Sequence, residues 1–318
     1  MDNDTLEMLR SSLRHVLEDG SPLPLADRLA ELGWDDVLAS DSSTALRTLF
    51  ELKGDTLATS DALGPQLSAT FAAATGLNSA ETPGVAMPSP FAPSTLDAHG
   101  NLTIDALLCS SAQTIAVPVG PQPGLAIVDG ADLTIGSLDG FDPSFGLLRV
   151  TGVVAAREIS WVDDAASVWS RVVAHGRWLV SCELVGIARH VLTAAASYTG
   201  QRVQYGKPIG TFQALQHRIA TAHALVVGAG HLAAEAGNTA DPWTALVAKA
   251  MAGQAGEFAC TQAQQCYGAI GFTWEHEFHR YLRRTYLLDR LFGDWRSLEH
   301  EIGMQLQTSG VVPHIGSL

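Results

Sequence analysis

Two short stretches of the sequence concentrate residue types that suit binding of an anionic cofactor. Residues 198–220, YTGQRVQYGKPIGTFQALQHRIA, place Arg202, Gln204 and Tyr205 directly before a Gly-Lys-Pro turn. Residues 264–284 contain the glycine-rich run QCYGAIGF. A planar guanidinium makes bidentate contacts to phosphate oxygens that an ammonium group does not make, and glycines let a backbone approach a phosphate closely. The two stretches are therefore compatible with a nucleotide ligand.

Together the two stretches resemble the C-terminal half of acyl-CoA dehydrogenases, flavoenzymes that desaturate acyl-CoA thioesters, over roughly residues 165–295. In that family an RxQFG motif contacts the FAD of the neighbouring subunit. The resemblance implies that Arg202 pairs with the pyrophosphate, that Gln204 bonds near it and that Tyr205, where the family usually has Phe, lies beside the adenine. Ile209 and Gln213 follow in register and are predicted to contact FAD. The alternative is an ordinary helix end with a surface Arg.

The second stretch resembles the family pattern QxxGGxGF, a helix end whose glycines admit the ADP part of FAD. Gln265, Gly268, Ala269 and Gly271 match it, with Ala269 in place of the second Gly. A methyl group is the smallest departure from the pattern, and it loosens the expected packing against the cofactor. The alternative is a glycine-rich helix end with a structural role alone.

The family reaction needs a Glu that removes the α-proton of the substrate while hydride leaves for the flavin. Aligned with the two family positions of this base are Phe292 and Gly176, and neither is a carboxylate. Glu183 and Asp294 are the nearest acids, and Glu183 is a weak candidate because family members often carry a structural Glu there. We therefore predict no catalytic residue in this chain and a base supplied by a partner subunit.

The segments with which the family holds the flavin ring, a TEPxxGSD-like run and a Trp-Ile-Thr/Ser strand, are missing between residues 80 and 160. The phrases GFTWEH and YLRR resemble actinobacterial acyl-CoA dehydrogenase subunits of steroid and cholesterol breakdown. The chain thus resembles the smaller, non-catalytic (β-type) subunit of a heterotetramer. This resemblance implies FAD shared with a catalytic partner subunit in an α2β2 assembly, and an acyl-CoA substrate derived from a steroid.

Two other hypotheses remain open. The chain is a homo-oligomeric dehydrogenase that uses Glu183 or Asp294 as an unusual base, or a flavin-free structural or CoA-binding homologue. A metal site would have to use His276 and His279, which are three residues apart rather than four as in HExxH, and we expect no metal.

Composition limits the kinds of partner. The 318 residues carry a net charge of −14, with 33 acidic and 19 basic residues, which argues against nucleic acid and against an anionic membrane surface. Hydrophobic residues make up 47% and charged residues 16%, typical of large buried cores. No CxxC is present, and the four cysteines are expected to be reduced. Neither a signal peptide nor an apolar run of ~20 residues is evident, so we expect a cytoplasmic protein.

The elements that position these residues follow from apolar periodicity and breakers. Helices are predicted at 4–18, at 24–38 with a break at Gly33, at 43–52 and at 56–76. Short β-branched runs separated by turns predict an antiparallel β-region, and long helices are predicted at 163–201, 212–235, 241–267 and 274–292, with a last segment after Trp295. The expected fold is mainly α with a small β-domain, like that of an acyl-CoA dehydrogenase. Its parts are an N-terminal helical domain (1–80), a reduced middle antiparallel β-domain (81–162) and a C-terminal four-helix bundle (163–318).

Overall fold

The computed structural model describes residues 1–21, 23–59, 61–78, 81–120, 124–138 and 140–313. The chain divides into two compact units: residues 1–58 with 177–318, and residues 59–176. The first is helical, and the second contains two β-sheets. The predicted class, mainly α with a small β-domain, is confirmed. The domain boundaries at residues 80 and 162 stay predictions.

Three helices open the helical unit: α1 (Asn3–Glu18), α2 (Leu25–Glu31) and α3 (Trp34–Thr56). The Asp2 carboxylate accepts a hydrogen bond from the Thr5 N–H and caps α1. Gly33, at φ +69°, separates α2 from α3, as the sequence predicted. The helix predicted at 43–52 is part of α3 rather than a separate helix.

The helix predicted from Thr56 to Gly76 begins later than expected. Leu57 adopts a left-handed conformation (φ +51°) that ends α3, and the following helix, α4, spans Leu63–Thr75. Gly76 ends α4 at φ +74°, a conformation that glycine adopts without strain. Leu57 is a residue type that favours helix, so the sequence alone did not show that the helix ends there.

In the described part of the second unit, α4 is followed by the strands β1 (Gly84–Val85), β2 (Met87–Pro88), β3 (Thr95–Leu96), β4 (Leu102–Leu108), β5 (Thr114–Val119), β6 (Gly124–Asp129), β7 (Thr134–Ser137), β8 (Leu148–Val154) and β9 (Ser160–Trp161). One sheet has the order β1-β5-β6-β9; the other has the order β2-β4-β8-β7, with β3 on β4. Ile104 and Val150 of one sheet and Val117 of the other belong to one buried cluster. The region is antiparallel as predicted apart from one pair, since β1 runs parallel to β5.

Two short strands and a series of long helices complete the helical unit. The strands are β10 (Val203–Gln204) and β11 (Lys207–Pro208), and the helices are α5 (Ala165–Gln201), α6 (Gln213–Thr239), α7 (Pro242–Tyr267), α8 (Phe278–Arg290) and α9 (Trp295–Ser309). The start of α5 lies in the second unit. The Asp241 carboxylate caps α7 by accepting from Thr244 N–H at 2.8 Å, and Pro242 takes the first helical position. α7 packs against α6, α8 and α9.

Two glycines allow α3 and α5 to cross closely. A Cβ on Gly54 would collide with the Glu183 carbonyl oxygen, and a Cβ on Gly186 would collide with the Glu51 carbonyl oxygen. Each glycine therefore faces the backbone of the other helix, and this crossing fixes the position of α5 within the helical unit.

Two helices are long and apolar enough to span a membrane by length and composition, α5 and α6. In α5, 72% of the apolar window is buried inside the structure, as for a core helix of a bundle; in α6 the share is 33%. We expected no apolar run close to the length of a membrane span. That expectation is wrong, because α5 and α6 reach this length with apolar residues. Small residues such as Ala229 and Ala233 dominate the buried face of α6, which packs against α7.

Candidate functional site

The segment after α5 folds as a tight β-hairpin. β10 pairs antiparallel with β11, and Tyr205 and Gly206 form the two-residue turn between them, with φ of +53° and +78°. Positive φ at both central positions is typical of a type I′ turn, in which Asn-Gly is the favoured pair. Tyr205 therefore occupies a conformation that costs a non-glycine residue on the order of 1–3 kcal/mol.

The predicted cofactor residues of this hairpin face solvent. Arg202, Gln204 and Tyr205 are exposed, Tyr205 to 93%. The Arg202 backbone is fixed, because its N–H donates to the Tyr198 carbonyl at 2.9 Å and its carbonyl accepts from the Ile209 N–H at 2.8 Å. Among the described residues, none forms a hydrogen bond or an ion pair with the Arg202 guanidinium. A fixed backbone with a free guanidinium suits recognition of an anion from outside the chain.

The hairpin is held against the start of α6. The Lys207 ammonium lies 4.5 Å from the centre of the Phe212 ring, and Tyr205 meets the same ring edge-on at 6.2 Å. Ile209 is half-buried, and Gln213, the first residue of α6, is exposed. The hairpin and the first turn of α6 therefore form one surface on which the five predicted residues of this segment lie.

The second predicted segment is the end of α7. Tyr267 is its last helical residue, and Gly268 leaves the helix at φ +63° and ψ −137°, a region that is essentially glycine-only. Gln265 and Ala269 are exposed, whereas Gly271 is buried, and a Cβ there would lie 3.0 Å from the Tyr267 Cβ. Gly268 and Gly271 thus have structural reasons to be glycine, and the extra methyl group of Ala269 lies on the solvent side.

The structure brings the two segments together. Tyr198, near the end of α5, contacts Tyr267 edge-on, with 5.2 Å between ring centres. Arg218 on α6 donates to the Gln262 amide oxygen on α7 at 2.8 Å. The hairpin and the α7 terminus therefore lie at the same end of the helical unit, as a shared ligand requires.

A pocket of about 290 Å³ lies beside both segments, and the sequence alone did not predict it. It is lined by eleven residues of α5, of the α7 end and of the start of α8: His190, Val191, Ala194, Ser197, Tyr198, Gln201, Tyr267, His276, Glu277, Phe278 and Tyr281. The helix expected from Trp274 begins at Phe278, whose N–H donates to His276 Nδ1 at 3.1 Å, so His276 lies outside the helix. The aromatic residues are far apart in sequence, and only the helix packing assembles them.

The weak base candidate Glu183 is engaged inside the helical unit. Its carboxylate is 1% exposed and accepts from Lys53 Nζ at 2.9 and 3.0 Å and from Arg284 Nη1 at 3.1 Å. Two cations and a carboxylate sealed together in this way form a structural ion cluster. A substrate proton has no access to this carboxylate in the described conformation.

The second acid, Asp294, caps α9. Its carboxylate accepts from the Ser297 N–H at 3.2 Å and from the Ser297 hydroxyl at 2.8 Å. Partial burial opposes ionisation, but these hydrogen bonds outweigh it and hold the pKa of Asp294 below its usual value. A cap with a lowered pKa is a weaker base than a free carboxylate.

The loop between α8 and α9 contains Phe292, at the first family base position. Phe292 has φ +59°, and its carbonyl accepts from Arg177 Nε at 3.2 Å. The buried Lys249 ammonium donates to the carbonyls of Asp289 and Gly293, each at 3.0 Å. Arg177 and Lys249 thus fix the shape of this loop, in which the family base position is occupied by the apolar side chain of Phe292.

The other family base position, Gly176, lies inside α5. Among the described residues, no group of three or more His, Cys, Asp or Glu side chains is arranged for a metal ion. His276 and His279 do not share a helix as the sequence suggested, because α8 starts between them.

Sequence comparisons match the part of the chain that contains the site. Residues 166–295 match the model "Acyl-CoA dehydrogenase, C-terminal domain". Acyl-CoA dehydrogenase IpdE2 of Mycobacterium tuberculosis is 35% identical over 128 residues, which are 39% of this chain and 40% of IpdE2. Acyl-CoA dehydrogenase FadE34 of the same organism is 29% identical over 218 residues, 61% of this chain and 29% of FadE34. The aligned part thus spans two fifths or less of these curated relatives.

Structural comparisons extend the likeness to the whole fold. The Tcur3481-Tcur3483 steroid ACAD superposes with a TM-score of 0.78 at 19% identity, over 96% of this chain and 99% of that chain. The ChsE4-ChsE5 complex from Mycobacterium tuberculosis gives 0.76 at 18% identity, over 99% of both chains. The predicted acyl-CoA dehydrogenase fold is confirmed by these likenesses. Residues 166–295 are an acyl-CoA dehydrogenase C-terminal domain, and the chain as a whole has the acyl-CoA dehydrogenase fold.

Proposed function

We propose that this chain is a subunit of an FAD-dependent acyl-CoA dehydrogenase that completes the ADP-binding site of a flavin held by a catalytic partner subunit. The observation that carries the proposal is the exposed hairpin at the end of α5. Its fixed backbone presents Arg202 with a guanidinium that none of the described residues engages. Because an unmatched arginine beside a tight turn is suited to a diphosphate, its partner comes from outside the chain.

The residues that would hold FAD are the nine predicted ones. Arg202 and Gln204 would bind the pyrophosphate, and Tyr205, Ile209 and Gln213 would line the hairpin side. Gln265, Gly268, Ala269 and Gly271 would line the α7 side. In the turn after α7, Gly268 is half-buried and Ala269 is exposed, so the Ala269 methyl would add a contact to an approaching diphosphate rather than fill an internal space. When bound, FAD accepts the hydride that leaves the acyl chain.

The proton-abstracting base would come from the partner subunit. Glu183 is enclosed by Lys53 and Arg284, and Asp294 serves as a helix cap. The fixed loop at Phe292 offers no carboxylate at the place where family members have one. The role of this chain would therefore be to bind and orient the cofactor, not to move the substrate proton.

The assembly and the substrate are further parts of the proposal. A structural relative is described as a steroid ACAD made of Tcur3481 and Tcur3483, and another is the ChsE4-ChsE5 complex. These likenesses support a complex of two kinds of chain, α2β2, that is located in the cytoplasm and acts on a steroid-derived acyl-CoA. An α2β2 complex would have one catalytic site for each pair of unlike chains. A bulky polycyclic acyl group would then have more space than in a complex with four catalytic sites.

Co-expression tests the proposal. The chain would be purified alone and together with an acyl-CoA dehydrogenase subunit that has the base and the TEPxxGSD segment, encoded by a neighbouring reading frame. We expect flavin absorbance and dehydrogenase activity only in the co-purified complex. Full flavin loading and turnover by the single chain would overturn the proposal and favour a homo-oligomeric enzyme. A complex without flavin bands would favour a structural or CoA-binding protein.

A substitution tests the residue that carries the argument. Arg202→Ala is expected to lower flavin retention of the complex at least about tenfold, as for loss of a charge-assisted pair of roughly 1.5–3 kcal/mol. Because Arg202 is exposed, the unfolding midpoint is expected to stay the same. Arg280→Ala, another exposed arginine of the helical unit, is the matched control. Unchanged flavin retention in Arg202→Ala would contradict the assigned role.

A further inference from the structure

We infer that the pocket between α5, the α7 end and the start of α8 receives an arginine side chain of the partner subunit. This inference rests on the proposed function, which supplies the partner, and adds to it a contact that holds the two chains together. The FAD contacts stay at the hairpin and at the α7 terminus. The pocket therefore serves assembly of the complex rather than binding of the cofactor.

More than half of the described residues that line the pocket have aromatic rings. The Tyr267 ring is inclined by 65° to Tyr198, by 46° to His276 and by 56° to Phe278, with 5.2, 4.3 and 5.4 Å between ring centres. Rings at such different angles surround a volume instead of stacking into one layer, and the negative faces of aromatic rings attract a cation. This part of the wall is suited to a cationic group.

The other part of the wall is held rigid. His190 on α5 stacks on Tyr281 of α8, with 4.3 Å between ring centres and 14° between planes. Asp55 fixes both rings, because its carboxylate lies 3.0 Å from His190 Nδ1 and its carbonyl accepts from the Tyr281 hydroxyl at 3.0 Å. A pocket whose side chains are already ordered loses little conformational entropy when a partner binds.

The pocket carries a negative charge that is not compensated within the chain. Glu277 lines it, and among the described residues none forms a hydrogen bond or an ion pair with the Glu277 carboxylate. The described lining residues include no Lys or Arg, and Arg280, directly before Tyr281, is exposed and does not line the pocket. Asp55, behind the rings, is already paired with Arg14. A cation from outside would therefore meet an unpaired carboxylate.

The phenols of the pocket respond to this charge. Burial raises the pKa of Tyr267 to about 12 and raises the pKa of Tyr281 as well, and the Glu277 charge adds to the rise at both. Both phenols are neutral near pH 7, so they do not compensate Glu277. Because Tyr267 lies on α7 and Tyr281 on α8, the field of Glu277 extends over both sides of the pocket.

Size and shape favour a guanidinium. A volume of about 290 Å³ is at the lower end of the roughly 300–1,000 Å³ of small-molecule sites, so the pocket holds the end of one side chain rather than a whole cofactor. A guanidinium is flat, stacks on ring faces and pairs with a carboxylate through two N–H donors, which an ammonium does not do. The Gln201 amide donates to the Ser197 hydroxyl at 3.3 Å, and its oxygen is a further acceptor at the pocket.

The place of the pocket in the fold indicates where the arginine comes from. Gln201, which lines the pocket, directly precedes Arg202, the residue proposed to reach the flavin of the partner. The pocket therefore lies beside the surface that the proposed function turns towards the partner subunit. Arginine is enriched in protein interfaces and among the residues that dominate their binding energy.

Association of the two subunits tests the inference. Dissociation constants of the co-purified complex would be measured by analytical ultracentrifugation, with and without added FAD. Glu277→Gln is expected to weaken association about tenfold or more, because it removes the carboxylate that pairs with the arginine. Glu275→Gln removes the same charge at an exposed position that does not line the pocket, and it should change the dissociation constant by less than about twofold.

Two further measurements identify the occupant. Arginine amide should promote dissociation of the complex, whereas citrulline amide, which has the same shape without the charge, should not, and the effect of arginine amide should disappear in Glu277→Gln. Each arginine of the partner would also be changed to alanine, alone and together with Glu277→Gln. One of them is expected to show coupling of about tenfold with Glu277→Gln and no coupling with Glu275→Gln.

Three results would overturn the inference: equal effects of the two glutamate substitutions, equal effects of the two amides, and no coupling of Glu277 with any arginine of the partner. Failure of the proposed function is visible separately. A complex that assembles but never retains flavin would reject the shared cofactor, and the effect of Glu277→Gln on association would still decide on the pocket. Flavin retention lost in Arg202→Ala, together with equal association of the two glutamate variants, would keep the proposed function and reject the pocket.

Discussion

Arg202 and Arg284 are the same residue type in the same helical unit, but their surroundings are opposite. Arg284 is fully buried and donates to the Glu183 carboxylate, which Lys53 also engages. Arg202 is exposed, with a guanidinium that none of the described residues engages. Burial of a charge is unfavourable unless a partner compensates it, so the buried cluster serves the fold, and the exposed arginine is available to a ligand from outside.

Removal of the Glu183 carboxylate is expected to have the largest effect on stability. Glu183→Ala leaves the Lys53 and Arg284 cations buried without their shared anion, and breaking such a cluster costs about 3–5 kcal/mol of unfolding free energy. Urea unfolding followed by circular dichroism measures this change. Glu275→Ala, at an exposed position, is the control and should change stability by less than about 0.5 kcal/mol.

A loss below about 1 kcal/mol in Glu183→Ala would contradict a structural role. It would show that the cluster is hydrated in solution and would return Glu183 to the list of candidate bases. Burial of a charged residue would then not be enough to assign it to the fold rather than to the reaction.

Substitutions of two helical glycines, Gly186 and Gly228, test the packing of the helical unit. Gly186→Ala places a methyl group against the Glu51 carbonyl at the α3–α5 crossing and is expected to cost roughly 1–3 kcal/mol of unfolding free energy. Gly228→Ala, in α6 with no atom within 4 Å of the added Cβ, should instead stabilise the protein by about 1 kcal/mol through helix propensity. Equal effects in the two variants would show that the crossing tolerates separation of the helices.

The buried Lys249 makes the stability of the folded chain depend on pH. Burial lowers its pKa to about 8, below its ordinary value of 10.5, although Asp289 lies 3.7 Å away. Between these values the folded protein has released a proton that the unfolded chain retains. Stability therefore rises with pH across this window, by at most about 1.4 kcal/mol per pH unit, and this contribution is lost as pH falls through 8.

The measurement compares the wild type with Lys249→Met by urea unfolding from pH 7 to 10. The variant lacks the bonds to the loop carbonyls, which shifts its stability by an amount that does not depend on pH. Cys260 and Tyr267, whose pKa values burial raises to about 12, are present in both proteins, so the difference isolates Lys249. Parallel pH profiles would show that Lys249 keeps its proton throughout the window.

Much of the fold was predictable because its determinants are local. The Asp241-Pro242 start of α7 and the break at Gly33 follow from caps and glycine conformation, and the β-region follows from β-branched runs separated by turn residues. The late start of α4 and the parallel β1–β5 pair depend on contacts between distant residues, which a single sequence does not encode locally.

The candidate site, too, was predictable only where its residues lie close together in sequence. The nine predicted cofactor residues belong to two contiguous motifs, so a resemblance found them, and the structure brings both motifs to one end of the helical unit. The aromatic pocket draws on His190, Tyr198, Tyr267 and Tyr281, which no local spacing connects. The role of Glu183 was ambiguous because its cations, Lys53 and Arg284, are 130 and 101 residues away in sequence.

A substitution of Tyr205 is expected to change stability least, and it tests the exposed hairpin that also contains Arg202. It is a non-glycine residue at φ +53° in the hairpin turn, 93% exposed, and its ring makes one edge contact with Phe212. Asn tolerates this conformation better, and Asn-Gly is the favoured type I′ pair, so Tyr205→Asn should raise unfolding free energy by about 0.5–1 kcal/mol. The same change should weaken flavin retention of the complex, because it removes the ring proposed to lie beside the adenine. Greater stability with undiminished flavin retention would show that the strained tyrosine does not serve the cofactor, and only Arg202 would then link the hairpin to FAD.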